Sequence, residues 1–338
     1  MRRFNTAGPC HPDDHYMLPP ERRLPEVRRL IDEKAYFVIH APRQTGKTTF
    51  VGSLAQALTS EGRYAALHTS CEAGQSVGRD LEPGITAVLE TMQQDAAISL
   101  PPELRPPAVD SSLGPATRLR DLLIRWSQQC PRPIVLFLDE IDALLDDTLL
   151  SVLRQLRSGY PNRPESFPHS VVLIGLRDVR DYNIKIESLT LRNFTETEIA
   201  ELYDQHTEET GQAFAPEAKN LAWELTRGQP WLVNALARQA LEKEDTDRSV
   251  PIEASHLQKA KEALIGRRDT HLDSLTDRLR EPRVRRVLEP ILTGELLPPD
   301  LPDDDVQFVK DLGLVASGPA GLEIANPIYR EVISGPSS

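Results

Sequence analysis

The 338-residue chain is poor in three things, and each shortage excludes something. Its three cysteines, Cys10, Cys71 and Cys130, are far apart and form no C-x-x-C pair. Neither a disulfide framework nor a zinc site is therefore indicated, and reduced thiols in a cytoplasmic protein are expected. No stretch approaches the roughly 20 apolar residues of a membrane helix, and Arg2 and Arg3 do not lead into a sustained apolar run, so no membrane partner is expected. Positive charge is in deficit, with 39 Lys and Arg against 51 Asp and Glu for a formal net charge of -12. That balance argues against a chain built around a nucleic-acid backbone, although a local basic face remains open. At this length the chain can bury a large core and should hold two or three domains.

Two segments carry the most specific chemistry. Residues 41 to 49 read APRQTGKTT and residues 134 to 142 read IVLFLDEID. The first matches a phosphate loop (Walker A), in which backbone N–H groups wrap phosphate oxygens, a lysine reaches the β/γ-phosphates and a hydroxyl holds Mg²⁺. Ala41, Pro42, Arg43, Gln44, Thr45, Gly46, Lys47, Thr48 and Thr49 form this candidate nucleotide-binding run, with Thr48 the metal-holding hydroxyl. One glycine is missing: G-x-x-x-x-G-K-[ST] begins with Gly, and Ala41 stands there. The flanks fit, because Ala35 to His40 reads as a buried strand, while Phe50, Val51, Leu54, Ala55 and Leu58 recur at helical spacing. A loop between strand and helix presents bound phosphates to the positive end of the helix dipole.

The second segment (Walker B) is a near-continuous apolar stretch, as in a central parallel strand covered on both faces. It ends in two carboxylates. Asp139 is assigned to Mg²⁺, Glu140 to the general base that polarises the attacking water, and Asp142 to capping the following helix. Further strands are read at Tyr64 to His68, Ser170 to Ile174 and Ile186 to Leu191, with helices from about Gly78 to Met92, at Ala116 to Ser127 and at Leu144 to Leu156. Residues 99 to 114 are a proline-rich excursion. Strands alternating with helices give an α/β parallel sheet of about five strands with right-handed crossovers, the P-loop NTPase arrangement.

Arg177, just past the fourth strand, is a candidate catalytic arginine sensing the γ-phosphate; pairing with Asp178 or Asp181 is the alternative. Arg154, Arg157 and Arg163 are arginine-finger candidates or a solvated helix face. His11 to His15, HPDDH, holds metal-ligand residue types, but Pro12 favours a loop, and His40 and His68 read as sheet packing.

After Leu191 the pattern turns helical. Thr195 and Glu198 form a capping box, and GQPWLVNALA starts a helix at Pro230, whose nucleotide-facing edge would include Gly228 to Trp231. The expected division is 1–192 as the nucleotide-binding α/β domain, 193–265 as a helical lid and 266–338 as a winged helix. The last contains short helices at Leu272 to Leu279, Val284 to Leu292 and Val306 to Leu312, then a two-stranded wing. Its candidate recognition helix begins with Asp303, Asp304 and Asp305, which repel phosphates. Arg278, Arg280, Arg283, Arg285 and Arg286 could touch DNA, or pair with the lid or a partner.

The order of phosphate loop, LFLDEID, arginine after a strand, GxP-type turn and winged helix resembles the AAA+/STAND class of P-loop ATPases. FNTAGPCHPDDHYMLPP, YFVIHAPRQTGKTT and TRGQPWLVNALA are similar to segments of bacterial AAA-like domain ATPases. The resemblance implies ATP and Mg²⁺ as cofactors, Pro230 near the adenine, Arg177 after the fourth strand, and Tyr16 to Pro19 lining the base pocket. It also implies a switch between closed and open states, often with nucleotide-dependent homo-oligomerisation. It alone favours ATP over GTP, since no N-K-x-D-like base reader occurs. The expected function is an ATP-hydrolysing switch acting on protein partners, in signalling or mobile-element defence. The alternatives are a DNA-associated ATPase regulating transposition or replication, and a scaffold that binds nucleotide without turnover.

Overall fold

A computed structural model describes residues 1–77, 80–175, 187–242, 248–267, 278–318 and 321–334. The chain divides into two compact units, a sheet unit (Pro20–Ala41 with Lys47–Leu191) and a helical unit (Met1–Pro19, Pro42–Gly46 and Arg192–Ser338). The sheet unit holds β1 (Tyr36–His40), β2 (Ala65–Ser70), β3 (Ile134–Asp139), β4 (Ser170–Gly175) and β5 (Glu187–Thr190), all parallel, in the order β2-β3-β4-β1-β5. Its helices are α1 (Glu26–Asp32), α2 (Lys47–Ser60), α3 (Leu81–Ser99), α4 (Pro115–Gln129) and α5 (Asp146–Gly159).

The strands read as unbroken apolar runs because both faces of the sheet are covered. Successive side chains point to opposite faces, so each strand feeds two cores. Val38, Leu67, Leu136, Leu138 and Leu173 pack with Met92 of α3, Trp126 of α4 and Val152 of α5. Phe37, Ile39, Val135, Phe137 and Ile174 pack with Leu30 of α1 and Phe50 and Leu54 of α2. Each such fully buried side chain contributes about 1.5–3 kcal/mol. β5, at the edge, is only partly covered.

The proline-rich excursion is tied down rather than loose. Leu100 and Leu104 are buried, Trp126 Nε1 donates to the Leu104 carbonyl at 2.9 Å, and Arg105 Nε donates to that of Leu100 at 2.8 Å. The helix expected to end at Met92 continues to Ser99.

The helical unit contains α6 (Glu196–Thr210), α7 (Pro216–Thr226), α8 (Pro230–Glu242) and α9 (Ala254–Arg267). Helices Pro282–Thr293 and Asp303–Asp311, an antiparallel hairpin of β6 (Val315–Gly318) and β7 (Gly321–Ile324), and helix Pro327–Ser334 follow. The expected helix at Leu272 to Leu279 lies mostly outside the described residues. The capping box is formed in full: Glu198 N–H donates to Thr195 Oγ1 at 3.2 Å, and Thr195 N–H to Glu198 Oε2 at 2.8 Å.

Two positions differ from expectation. Met1–Pro19, placed by sequence with the nucleotide-binding domain, groups with the helical unit, because Phe4, Tyr16 and Leu18 bury in its core. Tyr16 Oη lies 3.2 Å from His206 Nδ1, and Gln205 bonds both the N–H and the carbonyl of Met17. Tyr16 and Leu18 are thus core residues. The basic cluster is also spoken for: Arg278 and Arg283 pair with Glu281, Arg285 with Glu289, and Arg286 with Asp305 at 2.9 Å. Among the described residues no helix is long and apolar enough to cross a membrane.

Candidate functional site

β1 delivers the chain to the phosphate loop. Ala41 is buried, and its N–H donates to the Gly175 carbonyl at the end of β4, at 3.3 Å. The missing glycine costs little, because the left-handed backbone of the loop falls elsewhere, on Gln44 (φ 59°) and Gly46 (φ 84°). Within the tip, Thr45 Oγ1 donates to the Pro42 carbonyl at 2.8 Å. α2 then begins at Lys47, so the first N–H groups of a 14-residue helix open toward the loop. Lys47 is buried and folds back on the turn, its Nζ donating to the Ala41 carbonyl at 2.7 Å.

β3 ends in Asp139, which is only 2% exposed. Such burial disfavours a charged carboxylate, yet hydrogen bonds from His68, Thr48 and the Glu140 N–H more than offset it and hold Asp139 below the ordinary carboxylate range. His68 Nε2 lies 3.1 Å from Asp139 Oδ2, and Glu140 N–H donates to Oδ1 at 2.9 Å. The Thr48 hydroxyl and the Asp139 carboxylate, 91 positions apart in the chain, are therefore in contact. An ionised carboxylate beside a hydroxyl is an oxygen donor set of the kind a hard divalent cation such as Mg²⁺ takes.

Glu140 has a left-handed backbone (φ 53°, ψ 40°). For a residue other than glycine this costs about 1–3 kcal/mol. It turns the chain sharply off the strand, leaving Glu140 half-buried. Asp142 does not cap α5, whose N-cap is Leu145 without a side-chain bond. It lies in the short turn Ile141–Ala143 against Gly175, where an added Cβ would sit 2.6 Å from Asp142 Oδ1. β4 lies between β1 and β3, so the end of β4 meets both Ala41 and Asp142.

Sequence reading took His68 for packing and missed its bond to Asp139. The only signal was a histidine near the carboxyl end of a strand, and nothing local says that β2 pairs with β3. Cys71, fully buried just after β2, has its thiol pushed up by burial and then by Asp139, Glu140 and Asp142. Arg177 lies outside the described residues. Arg163 stacks on Tyr160, 3.4 Å from the ring centroid, and donates to the Lys34 and Tyr160 carbonyls. In the HPDDH turn, His15 Nδ1 accepts from the His11 N–H at 2.9 Å.

In the helical unit, Pro230 is buried as the first residue of α8. Gln229 caps that helix, accepting from the Leu232 N–H at 2.6 Å, while its Nε2 donates to the Gln44 carbonyl at 3.4 Å. Gly228 (φ 75°) lies so close to the chain at Phe194 that a Cβ would meet the Phe194 carbonyl oxygen at 1.9 Å.

Residues 29–182 match the family model described as the AAA domain. No curated protein matches the sequence. Among solved structures, the Walker-type ATPase PABY2304 of Pyrococcus abyssi is similar at a TM-score of 0.66 and 16% identity, covering 98% of this chain and 99% of that one. Cdc6p from Pyrobaculum aerophilum is similar at 0.50 and 14% identity, covering 94% of each. At these identities the likeness is one of fold: an α/β P-loop NTPase sheet followed by a helical region, as in AAA-type ATPases.

Proposed function

We propose that the chain is a Mg²⁺-dependent ATPase of the AAA-like kind, working as a cytoplasmic molecular switch on protein partners. The observation that carries this reading is Asp139, buried at the end of β3, bonded by His68 and held ionised in part by the hydroxyl of Thr48, the residue after Lys47 at the start of α2. Ala41, Pro42, Arg43, Gln44, Thr45, Gly46 and Thr49 complete the phosphate-binding run. Lys47 would exchange the Ala41 carbonyl for phosphate oxygens, a stronger, charge-assisted partner. Thr48 and Asp139 would hold Mg²⁺, which when bound neutralises phosphate charge. Asp139 is held below the ordinary carboxylate range and bonded by His68, so no deprotonation would have to precede binding. Glu140 would accept the proton of the attacking water, its carboxylate turned off the strand by the left-handed backbone. Arg177 would act at the γ-phosphate and Pro230 near the adenine.

The proposed division is a nucleotide-binding domain ending at residue 192, a lid over 193–265 with which Met1–Pro19 groups, and a winged helix over 266–338. The winged-helix reading is supported by the order of helices Pro282–Thr293 and Asp303–Asp311, then hairpin β6–β7. Protein partners are favoured over DNA because Arg278, Arg283, Arg285 and Arg286 are paired with carboxylates and helix Asp303–Asp311 begins with three aspartates. Nucleotide-dependent self-association belongs to the same reading, and light scattering with ATP, ADP and a non-hydrolysable analogue measures it.

Binding of a fluorescent ATP analogue and release of phosphate test the site. Lys47→Ala should lose binding by roughly tenfold or more, and Glu140→Gln should keep binding while hydrolysis falls by about 10²-fold or more. Equal ATP binding by wild type and Lys47→Ala would overturn the proposal.

A further inference from the structure

Helix Pro282–Thr293 and the link that follows it, residues 294 to 302, line a groove of about 570 Å³. Pro290, Pro298 and Leu301 give it apolar walls, while Glu289, Glu295 and Asp300 bring carboxylates to it. The link is fastened at both ends. Glu295 N–H donates to the Pro290 carbonyl at 2.9 Å where the helix stops at Gly294 (φ 75°), and Leu301 N–H donates to the Pro298 carbonyl at 3.1 Å. Between these bonds Leu296, next in the chain to Glu295, is 95% exposed. A lone surface leucine needs no partner, but one beside an apolar groove extends a patch that a partner can bury. Held on a proline-bounded link, it also has little conformational freedom left to lose on binding.

The charges say what the partner carries. Arg286, the one cation among the described lining residues, is taken up by Asp305 at 2.9 Å, and Glu289 pairs with Arg285 at 2.8 Å. Glu295 and Asp300 have no ion pair among the described residues. Asp303 and Asp304, exposed in the first turn of the next helix, follow directly in the chain. The cations of this face are thus spent on carboxylates of their own unit, and the carboxylates left over favour an occupant that supplies positive charge. Nucleic acid would be repelled, and a purely apolar segment would desolvate these carboxylates without compensation. A segment in which lysine or arginine flanks leucine-like residues meets both demands. Its aliphatic groups cover Leu296, Pro290 and Leu301, and its cationic ends reach Glu295 and Asp300.

We infer that this groove is the docking site for a basic amphipathic segment of a partner protein, with Leu296 as the apolar anchor and Glu295 and Asp300 as the groups that select its charge. The inference rests on the reading that the chain acts on protein partners, and it names the chemistry of the partner. It uses none of the residues assigned to nucleotide. Rim carboxylates speed encounter and reject acidic partners, while burial of the leucine slows release.

Fluorescence anisotropy of the full chain with a labelled synthetic peptide of about 15 residues, made only of leucine and lysine in an amphipathic-helix pattern, tests the site. Saturable binding is expected that weakens as salt screens the carboxylates, and the same pattern built of leucine and glutamate should not bind. Leu296→Ser should weaken the lysine peptide by about tenfold or more, as loss of one buried leucine does. Glu295→Gln combined with Asp300→Asn should weaken it by about tenfold. All three side chains are exposed, so circular dichroism should not change. Glu90→Gln combined with Glu103→Gln removes the same charge from exposed positions of the sheet unit and should leave affinity unchanged, which separates the groove from the net charge of -12. Lys47→Ala should also leave it unchanged, so a failure of the ATPase reading is read on a different variant. Absence of saturable binding, equal binding of the glutamate peptide, affinity unmoved by Leu296→Ser, or an equal loss from the sheet-unit pair would each overturn the inference. Duplex DNA that binds and displaces the peptide would overturn the protein-partner reading and the inference with it, whereas failure of the lysine peptide with no DNA binding overturns the inference alone.

Discussion

Replacing Gly228 by alanine should destabilise the helical unit severely, and a second glycine separates the causes. Gly228 ends the turn that launches α8, with φ at 75° after Arg227 at 47°. A left-handed backbone costs an alanine about 1–2 kcal/mol. The new Cβ would also meet the Phe194 carbonyl oxygen at 1.9 Å and Trp223 Cζ3 at 3.0 Å. Backbone cannot swing aside like a side chain, so relief requires the turn and the segment before α6 to separate. That separation strains the hydrogen bond from Phe194 N–H to the Gly228 carbonyl, now 2.9 Å. Such overpacking costs about 1–3 kcal/mol and the lost bond about 0.5–1.5, which with the backbone cost makes a total of roughly 2.5–6.5 kcal/mol. Gly211, at the end of α6, has nearly the same φ of 81°, but a Cβ there meets nothing within 4 Å. Gly211→Ala should therefore lose only about 1–2 kcal/mol. Urea unfolding reads the difference, because Trp223 and Trp231 report on this unit while Trp126 lies in the sheet unit. With a slope of about 1–3 kcal/mol per M, Gly228→Ala should shift the helical-unit midpoint by more than about 1 M, well beyond the shift of Gly211→Ala. Equal shifts for the two variants would refute the close-approach argument and leave only backbone conformation.

Other outcomes follow from the same contacts. His68→Ala removes a hydrogen bond from Asp139 and should raise the Mg²⁺ concentration needed for half-maximal nucleotide binding by about tenfold or more, as loss of a partner behind a metal ligand does, with circular dichroism unchanged. Cys71 is fully buried with its thiol pushed up, so a thiol reagent at neutral pH should leave it unmodified in the native chain and label it only on unfolding, as peptide mapping would show. Thr195→Ala breaks one half of the capping box and should cost about 1 kcal/mol in the helical-unit unfolding transition.

How far local pattern carried can be judged at single residues. The phosphate-loop flanks were legible because β1 is a short apolar run and α2 repeats its apolar residues at helical spacing, both properties of neighbouring residues. The capping box at Thr195 was legible for the same reason, since its partners are three positions apart. Asp142 was misread because an acidic residue before a helix suggests a cap, whereas Glu140 turns left-handed and places Asp142 against Gly175 instead. Ala41 stands where the phosphate-loop pattern has glycine, and the positive φ angles fall instead on Gln44 and Gly46, which no local pattern of residues specifies.

Sequence by itself determined the α/β alternation, the phosphate loop, the acidic end of β3 and the net negative charge. These are set by periodicity and residue type within windows of a few turns. Tertiary structure alone decided that β4 lies between β1 and β3, that His68 and Thr48 meet Asp139, and that Phe4 and Tyr16 bury in the helical unit. It also decided that Arg286 of helix Pro282–Thr293 faces Asp305, and that Arg267 donates to Gln239. Each of these outcomes joins residues far apart in the chain. Which distant faces meet depends on how whole elements pack against one another, and no local pattern of residues specifies that.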